Sequence, residues 1–311
     1  MGTAFLFPGQ GSQSVGMGHA LFEQYPEARE RFEAAHAAMD VDLLALMFGT
    51  DTSVSDPDEA LKQTAVTQPA LYTHSLAAMA VLTSHGVTPD MAAGHSLGEY
   101  SALAAVGALS FEDGLRIVKR RGELMAEAGE RRPGSMAAVL GAEDEEIEAV
   151  CTAVTDEGDG VVQPANFNAP GQIVISGDAE AVDAAGDRIS GRTIPLPVSG
   201  AFHSPLMDYA RDGLAEVIDA VGIQRPSCPV YLNVTAEPTT DPDEIRTRLL
   251  EQLNAPVRWA QSVRTMHRDG ATRFVEVGAG TVLQGLVRRT LDADVETVGG
   301  GTPEEISALV D

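Results

Sequence analysis

The chain has 311 residues and a formal net charge of −25, because 46 acidic residues face only 21 basic ones. So strong a negative field opposes binding to nucleic acids and to anionic membranes, and we expect neither as a partner. The apolar fraction of 44% and the charged fraction of 22% are those of a globular protein, and no apolar run is long enough to span a bilayer. We therefore expect a folded, cytoplasmic protein.

In the first 130 residues the apolar pattern predicts strands alternating with helices. Strands are expected at residues 3–7 and 91–93, and helices at residues 19–39 (interrupted by Pro26), 43–48, 67–85 and 111–128, with a further helix from about residue 97. Pro69 is expected in the first turn of the helix over 67–85, and Gly129 at the C-cap of the helix over 111–128. Residues 51–58 are polar and are expected to form a loop.

The pattern changes over residues 131–198. Strands over 135–140, 161–166, 172–176 and 193–196 and helices over 143–156 and 179–190 follow in the order βαββαβ, which is the ferredoxin-like arrangement. Strand–helix alternation then resumes, with helices at 207–221, 243–254, 281–291 and one ending at 267, and strands at 230–233 and 273–277.

These patterns predict an α/β fold. We expect a larger α/β-hydrolase-like domain, residues 1–130 and 199–311, which holds a parallel sheet and a nucleophile elbow. Residues 131–198 are expected to form a small ferredoxin-like subdomain inserted into it. The cleft between the two is the natural place for a ligand.

The elbow is the turn Gly94-His95-Ser96-Leu97-Gly98, which matches the G-x-S-x-G pattern between a predicted strand and a predicted helix. A serine on so sharp a turn needs neighbours without bulky side chains, since the backbones crowd there. The free N–H groups at the head of the helix favour negative charge that develops beside the serine. A strand–helix junction with a serine cap is the simpler alternative, because five residues make a loose pattern.

A serine nucleophile needs a base, and His203 is the candidate among the seven histidines. It lies on the loop Gly200-Ala201-Phe202-His203-Ser204-Pro205, which enters the large domain from the insert. A loop histidine held by backbone groups is the competing interpretation. His95 adjoins the serine but is expected to point elsewhere, because successive side chains in an elbow diverge.

Patterns for other chemistry are incomplete. The glycine-rich turn over residues 8–13 lacks the Lys-Ser/Thr pair of a phosphate-binding P-loop. Cys151 and Cys228 have neither metal-ligand nor disulfide spacing, and both are expected to be buried. We expect no metal and no cofactor.

Taken together, the motifs resemble those of the malonyl-CoA:acyl-carrier-protein transacylases, in the same order and over residues 4 to about 291. The segments that carry the resemblance are Phe7-Pro8-Gly9-Gln10-Gly11-Ser12-Gln13, Gly94-His95-Ser96-Leu97-Gly98-Glu99, Arg121-Gly122, Asn166-Phe167-Asn168, Gly200-Ala201-Phe202-His203-Ser204 and Gln252 with Pro256-Val257-Arg258-Trp259. The resemblance implies transfer of a malonyl group from malonyl-CoA to the phosphopantetheine thiol of acyl carrier protein, for fatty acid synthesis.

The resemblance also implies the site residues. Ser96 is the nucleophile, and His203 is the general base and acid. Gln252, through its side chain or a nearby backbone carbonyl, orients the histidine. The remaining positions are the oxyanion-hole residues Gln10 and Leu97, the carboxylate-binding Arg121, and the pocket residues Met125, Asn166 and Phe202.

Other functions stay open at this stage. A serine thioesterase or esterase could use the same elbow with water as the acceptor, and it would have no use for Arg121. A transacylase for another acyl-CoA, such as methylmalonyl-CoA, would differ mainly beside Phe202. The carrier protein is expected to dock weakly and with salt tolerance on local arginines such as Arg188, Arg192 or Arg258.

The acidity itself yields a test. If it reflects a high-salt cytoplasm, the melting temperature should rise in molar KCl, where screening over about 3 Å removes most of the self-repulsion. If acidity only aids solubility, a thermal melt should gain nothing from KCl. Melting curves at increasing KCl concentration distinguish the two.

Overall fold

A computed structural model describes residues 2–158, 160–198, 200–292 and 294–310. The strands, in chain order, are β1 (Gly2–Phe7), β2 (Met91–Gly94), β3 (Ser135–Leu140), β4 (Val162–Ala169), β5 (Gln172–Gly177), β6 (Arg192–Pro195), β7 (Val230–Tyr231), β8 (Pro238–Thr239), β9 (Ala271–Glu276) and β10 (Glu296–Gly299). Within the described residues they form a six-stranded sheet, β10-β9-β1-β2-β7-β8, and a four-stranded sheet, β4-β5-β3-β6. The larger sheet is parallel except where β8 pairs with β7, and the smaller one is antiparallel.

Helices surround both sheets. They are α1 (His19–Gln24), α2 (Pro26–Ala38), α3 (Leu43–Phe48), α4 (Pro57–Lys62), α5 (Thr64–Ser84), α6 (Gly98–Ala105), α7 (Phe111–Arg131), α8 (Asp144–Glu157), α9 (Ala179–Arg188), α10 (Asp208–Asp219), α11 (Pro242–Glu251), α12 (Trp259–Arg268), α13 (Val282–Thr290) and α14 (Pro303–Val310). Among the residues described, none of these helices is both long enough and apolar enough to cross a membrane.

Strand β1 is the centre of the large sheet, and both of its faces are buried. Phe5 and Phe7 pack into the core that contains α5 and α7, whereas Ala4 and Leu6 pack into the core that contains α12 and α13. Alternate side chains on a strand point to opposite faces, so one apolar run serves two cores. The register of β1 with β2 sets Phe7 beside Gly94, and the loops that follow both strands therefore meet at one edge of the sheet.

The small sheet has a core of its own, formed with α8 and α9. Two backbone hydrogen bonds join its strand β4 to the chain just before α12. Phe167 N donates to Val257 O at 2.8 Å, and Val257 N donates to Ala165 O at 2.8 Å. The smaller sheet is thus joined to the chain before α12 by main-chain bonds as well as by packing.

Most predicted elements are confirmed, with shifted ends. Helix α5 begins at Thr64, so Pro69 lies inside the helix and the prediction that it marks the first turn is wrong. Helix α7 runs to Arg131 through Gly129, which is therefore not the C-cap. Gly129 instead lies beside Gly200, where a Cβ built on Gly200 would be 3.4 Å from the Gly129 Cα.

Short elements account for the other differences. The predicted strand over 230–233 keeps only Val230–Tyr231, and the predicted loop over 51–58 ends in the start of α4. Elements β8, β10 and α14 have no counterpart among the predictions. Ser110 caps α7 by accepting from Asp113 N at 3.0 Å. Both cysteines are buried, as predicted.

The central sheet should dominate stability. Phe274 lies in β9 with 0% of its surface exposed, so Phe274→Ala should lower the free energy of unfolding by about 3–5 kcal/mol, from lost burial and the cavity left behind. Val282, 50% exposed at the start of α13, is the matched control, and Val282→Ala should cost less than about 0.5 kcal/mol. Urea denaturation measures both, and equal losses would contradict this description of the core.

Candidate active site

Ser96 lies on the turn between β2 and α6, with a left-handed backbone conformation of φ 52°. The two glycines of the pattern are required by close backbone contacts. A Cβ on Gly94 would come within 1.9 Å of Gly98, and a Cβ on Gly98 would come within 2.0 Å of Phe7 O. Ser96 therefore occupies a sharp strand-to-helix turn of the kind the motif predicts.

Asn233 holds this turn in place from the end of β7. Its Oδ1 accepts a hydrogen bond from Ser96 N at 2.7 Å, and its Nδ2 donates to Gly94 O at 2.7 Å. The side chain is buried, and both ends of its amide are used. The one sequence signal for Asn233 is its place just after a short apolar strand, at the edge where ligands bind in parallel sheets.

His203 faces the serine. Its Nε2 lies 2.8 Å from Ser96 Oγ, and its Nδ1 lies 2.9 Å from Gln252 O and 3.2 Å from Ala255 O. Since a carbonyl oxygen can only accept, the proton of the neutral ring resides on Nδ1, and the Nε2 lone pair faces the hydroxyl. The backbone carbonyl of Gln252, and not its side chain, contacts the imidazole.

The surroundings keep this imidazole neutral. Burial, followed by the positive charge of Arg121, lowers the pKa of His203 to about 3, while the hydrogen bond to Gln252 O acts in the opposite direction. At neutral pH the ring is therefore able to accept a proton.

Arg121 is the third group at the serine. It lies on α7 with 1% of its surface exposed, and its Nη2 is 3.1 Å from Ser96 Oγ. By contrast, Arg116 and Arg120 on the same helix pair with acidic residues of α7 at the surface. A buried guanidinium beside a hydroxyl is expensive to desolvate, so its placement indicates an anionic ligand.

Neutral groups orient Arg121. Nη1 donates to Gln68 Oε1 at 2.9 Å, and Nη2 donates to Gln252 Oε1 at 3.1 Å. The ring of Tyr100 lies 5.4 Å from the guanidinium carbon. Gln68 also donates to Met125 Sδ at 3.2 Å. The only signal for Gln68 in the sequence is its position inside an apolar stretch of α5.

These groups surround a cavity of about 120 Å³ between the two sheets. Its lining brings together eight predicted site residues, namely Gln10, Ser96, Leu97, Arg121, Met125, Asn166, Phe202 and His203. The ninth, Gln252, is fully buried and reaches the site through Arg121 and through a hydrogen bond from its Nε2 to Ser96 O at 3.0 Å.

His95 also lines the cavity, but its ring is held by other groups. Its Nε2 lies 2.8 Å from Asn168 Oδ1, and its ring centroid lies 5.5 Å from that of Trp259. His74, whose placement the sequence left open, is buried with Nε2 2.9 Å from Gly301 O. Among the described residues, the imidazole that hydrogen-bonds the serine hydroxyl is that of His203.

The site thus combines an activated hydroxyl with a buried cation. The hydroxyl and imidazole can form and break an ester, and the guanidinium can hold a carboxylate on the acyl group. This is the chemistry of acyl transfer with a dicarboxylic acyl group.

Comparison with known proteins agrees with this geometry. The family model described as acyl transferase domain matches residues 4–305. The malonyl CoA-acyl carrier protein transacylase of Bacillus subtilis (strain 168) is 45% identical over 311 residues, covering 99% of this chain and 96% of that protein.

Solved structures give the same result. An acyl carrier protein S-malonyltransferase from Vibrio cholerae has a TM-score of 0.92 and 39% identity, covering 99% of this chain and 100% of that one. A malonyl-transacylase solved in complex with its type II PKS acyl-carrier protein has a TM-score of 0.91 and 36% identity, covering 100% of this chain and 99% of that one. The resemblance predicted from the motifs is confirmed, and the chain belongs to the acyl transferase family.

Proposed function

We propose that this chain transfers a malonyl group from malonyl-CoA to the phosphopantetheine thiol of acyl carrier protein, supplying fatty acid synthesis, through an ester on Ser96. The single observation that carries the proposal is the buried Arg121 guanidinium, 3.1 Å from the serine hydroxyl. A malonyl group bound through its thioester carbon at Ser96 would direct its free carboxylate at that cation. Relatives and neighbours with this activity by name support the assignment.

In the first half-reaction Ser96 Oγ attacks the thioester carbonyl carbon, and His203 Nε2 takes the hydroxyl proton. The carbonyl oxygen becomes an oxyanion, for which the backbone N–H groups of Gln10 and Leu97 are the proposed donors. Each such donor is typically worth ~10²–10³ in rate. Collapse breaks the carbon–sulfur bond, and His203 returns the proton to the departing CoA thiolate.

The second half-reaction runs in reverse with a new thiol. His203 takes the proton of the carrier thiol, the thiolate attacks the serine ester, and the proton returns to Ser96 Oγ. Burial first, and then the charge of Arg121, lowers the pKa of His203, so the imidazole is neutral and able to accept the thiol proton at neutral pH.

Arg121 also favours transfer over hydrolysis. A carboxylate held by a planar, bidentate cation fixes the acyl group in one orientation, away from attacking water. The acyl-enzyme then waits for a thiol, which gives ping-pong kinetics. An esterase would have no need of a cation at this position.

The residues of the cavity wall determine which acyl group the site accepts. We infer that Met125, Asn166 and Phe202 shape the pocket around the malonyl methylene. We propose that Phe202, which lines the cavity, disfavours an extra methyl group, although a single methyl is worth only about 1–3 kcal/mol of selectivity. Malonyl is the preferred substrate on this basis, with methylmalonyl as the nearest competitor.

We infer that residues 1–130 and 199–311 form one α/β-hydrolase-like catalytic domain and that residues 131–198 form a ferredoxin-like insert. Residues 1, 159, 199, 293 and 311 of these ranges lie outside the described residues. The strand order β4-β5-β3-β6 with α8 and α9 supports the insert. The elbow at the carboxyl end of a parallel strand supports the catalytic domain.

The acceptor is acyl carrier protein, and the neighbour solved with its acyl-carrier protein supports this partner. Of the arginines proposed for docking, Arg188 forms an ion pair with Glu157 at 2.7 Å, whereas Arg258 lies over the ring of Phe167. The reaction needs no cofactor and no metal. A cytoplasmic location remains a prediction from the sequence.

Mixing the protein with malonyl-CoA should produce an adduct of one malonyl group by intact mass. Ser96→Ala should abolish the adduct, because among the described residues the hydroxyl hydrogen-bonded to His203 Nε2 is that of Ser96. Addition of a carrier thiol should discharge it faster than water does. Rapid release of free malonate without a thiol would favour a hydrolase instead.

Arg121→Ala should lower kcat/KM for malonyl-CoA by about 10²-fold or more, as expected for loss of a charge-assisted contact worth about 3 kcal/mol. Acetyl-CoA, which has no carboxylate, should become the better substrate. Arg120→Ala, at a side chain 38% exposed on the same helix, is the control and should leave both rates unchanged. Unaltered malonyl preference in Arg121→Ala would contradict the assigned substrate.

A further inference from the structure

Glu99 is a buried carboxyl group next to the catalytic groups, and the mechanism above does not use it. It lies on the first turn of α6, three residues after Ser96, with 1% of its surface exposed. Its Oε2 accepts from Gln252 Nε2 at 2.5 Å and from Asn233 N at 3.4 Å. Its Oε1 has no hydrogen-bond partner among the described residues. An acid placed here needs an explanation, since a buried charge without full compensation is costly.

Gln252 connects this carboxyl group to Arg121. Only the NH₂ end of an amide can donate to a carboxylate, so Gln252 Nε2 must face Glu99 and its Oε1 must face Arg121. The observed distances, 2.5 Å to Glu99 Oε2 and 3.1 Å from Arg121 Nη2 to Gln252 Oε1, follow this order. The carboxylate therefore fixes which end of the amide is presented to the guanidinium.

The opposite charges of Glu99 and Arg121 agree with this geometry. Arg121 acts on the Glu99 carboxyl through its charge, whereas the hydrogen bonds of Arg121 go to neutral oxygens. Strands β1 and β2, which pack against α6, carry no titratable side chain. On α5, Tyr72 and His74 are bonded to backbone carbonyls elsewhere. Glu99 is thus a buried acidic group on which the charge of Arg121 acts in the empty site.

We propose that Glu99 is the resting counter-charge of Arg121 and takes up one proton from solvent when an acyl carboxylate binds to Arg121. This inference rests on the proposed function. Two carboxylates cannot both stay ionised around one buried guanidinium at low cost. Protonation of Glu99 leaves one negative charge, now on the ligand, opposite the cation, so the net charge of the site stays constant.

The expected pH dependence has a definite sign. Burial raises the pKa of Glu99 to about 7, against the lowering effects of Gln252, Asn233 and Arg121. A bound carboxylate offsets Arg121, and the pKa of Glu99 rises further in the complex. Below about pH 7 Glu99 is protonated in both states, and affinity should not change with pH. Above it, affinity should fall by up to about tenfold per pH unit, because binding then consumes a proton.

Calorimetry of malonyl-CoA binding to Ser96→Ala tests this directly. This background binds the substrate without forming the ester. Titrations at about pH 7.5 in buffers with different ionisation enthalpies give the number of protons taken up. We expect uptake approaching about one proton per site. Acetyl-CoA, which leaves Arg121 empty, should bind without uptake.

A second substitution assigns the proton. Glu99→Gln keeps an acceptor for Gln252 but cannot titrate, and it should abolish uptake. The matched control is Glu276→Gln. Glu276 is equally buried and its pKa is also raised to about 7, but it accepts from Leu283 N and Gln284 N at the start of α13. Uptake should persist in that variant.

The outcomes separate the two proposals. Malonyl-CoA binding without proton uptake overturns the role of Glu99 and leaves the proposed function intact. Uptake that survives in folded Glu99→Gln overturns it too, and assigns the proton to His203. If malonyl-CoA binds no better than acetyl-CoA, the proposed function fails and this inference fails with it.

Should Glu99→Gln not fold, infrared difference spectra of Ser96→Ala decide the matter. A new protonated-carboxyl band on adding malonyl-CoA supports the proposal, and its absence overturns it.

Discussion

The whole site depends on keeping one positive charge out of water beside a hydroxyl group. Arg121 is 1% exposed and within hydrogen-bonding distance of Ser96 Oγ. Removing a guanidinium from water is costly, and the fold compensates with oriented dipoles from Gln68 and Gln252 and with the ring of Tyr100. Such an arrangement is stable enough to exist but leaves a strong preference for an anion. Burial first, and then the same charge, lower the pKa of His203, so Arg121 bears both on an anionic ligand and on the protonation of the imidazole.

The elbow shows how local and distant contacts share the work of placing a reactive group. Gly94 and Gly98 remove the side chains that would collide with neighbouring backbone. Asn233, 137 positions away from Ser96, then fixes the turn with both ends of its amide. Ser96 N donates to the Asn233 side chain, so this N–H is already occupied. The backbone N–H groups proposed for the oxyanion are therefore those of Leu97, which follows Ser96, and of Gln10, which follows β1.

The sequence was sufficient for the parallel strands, the turn at Ser96 and the element order β3-α8-β4-β5-α9-β6, because each has a period or a turn pattern that one segment carries alone. Arg121 is different: it shares α7 with Arg116 and Arg120, and the motif resemblance alone separated them. The apolar neighbours Ile117, Val118, Leu124 and Met125, three and four residues away on either side, are a local signal that this arginine faces inward.

Gln68, Asn233 and Glu99 could not be assigned in this way. Their roles depend on contacts that span between 53 and 153 residues of the chain, and no local pattern reports such distances. The short elements α4, β8, β10 and α14 escaped for a related reason. Each has ten residues or fewer, so its pattern is too brief to stand out from a loop.

The pairing of β4 with Val257 has a consequence for how this scaffold can diversify. Asn166, a wall of the cavity, and the loop whose carbonyls hold His203 are neighbours across that pairing. A change in the smaller sheet that shifts Asn166 would therefore also shift the carbonyl groups that hold His203. A replacement of that sheet would have to retain the Val257 register, so that the imidazole keeps its position while the cavity wall changes.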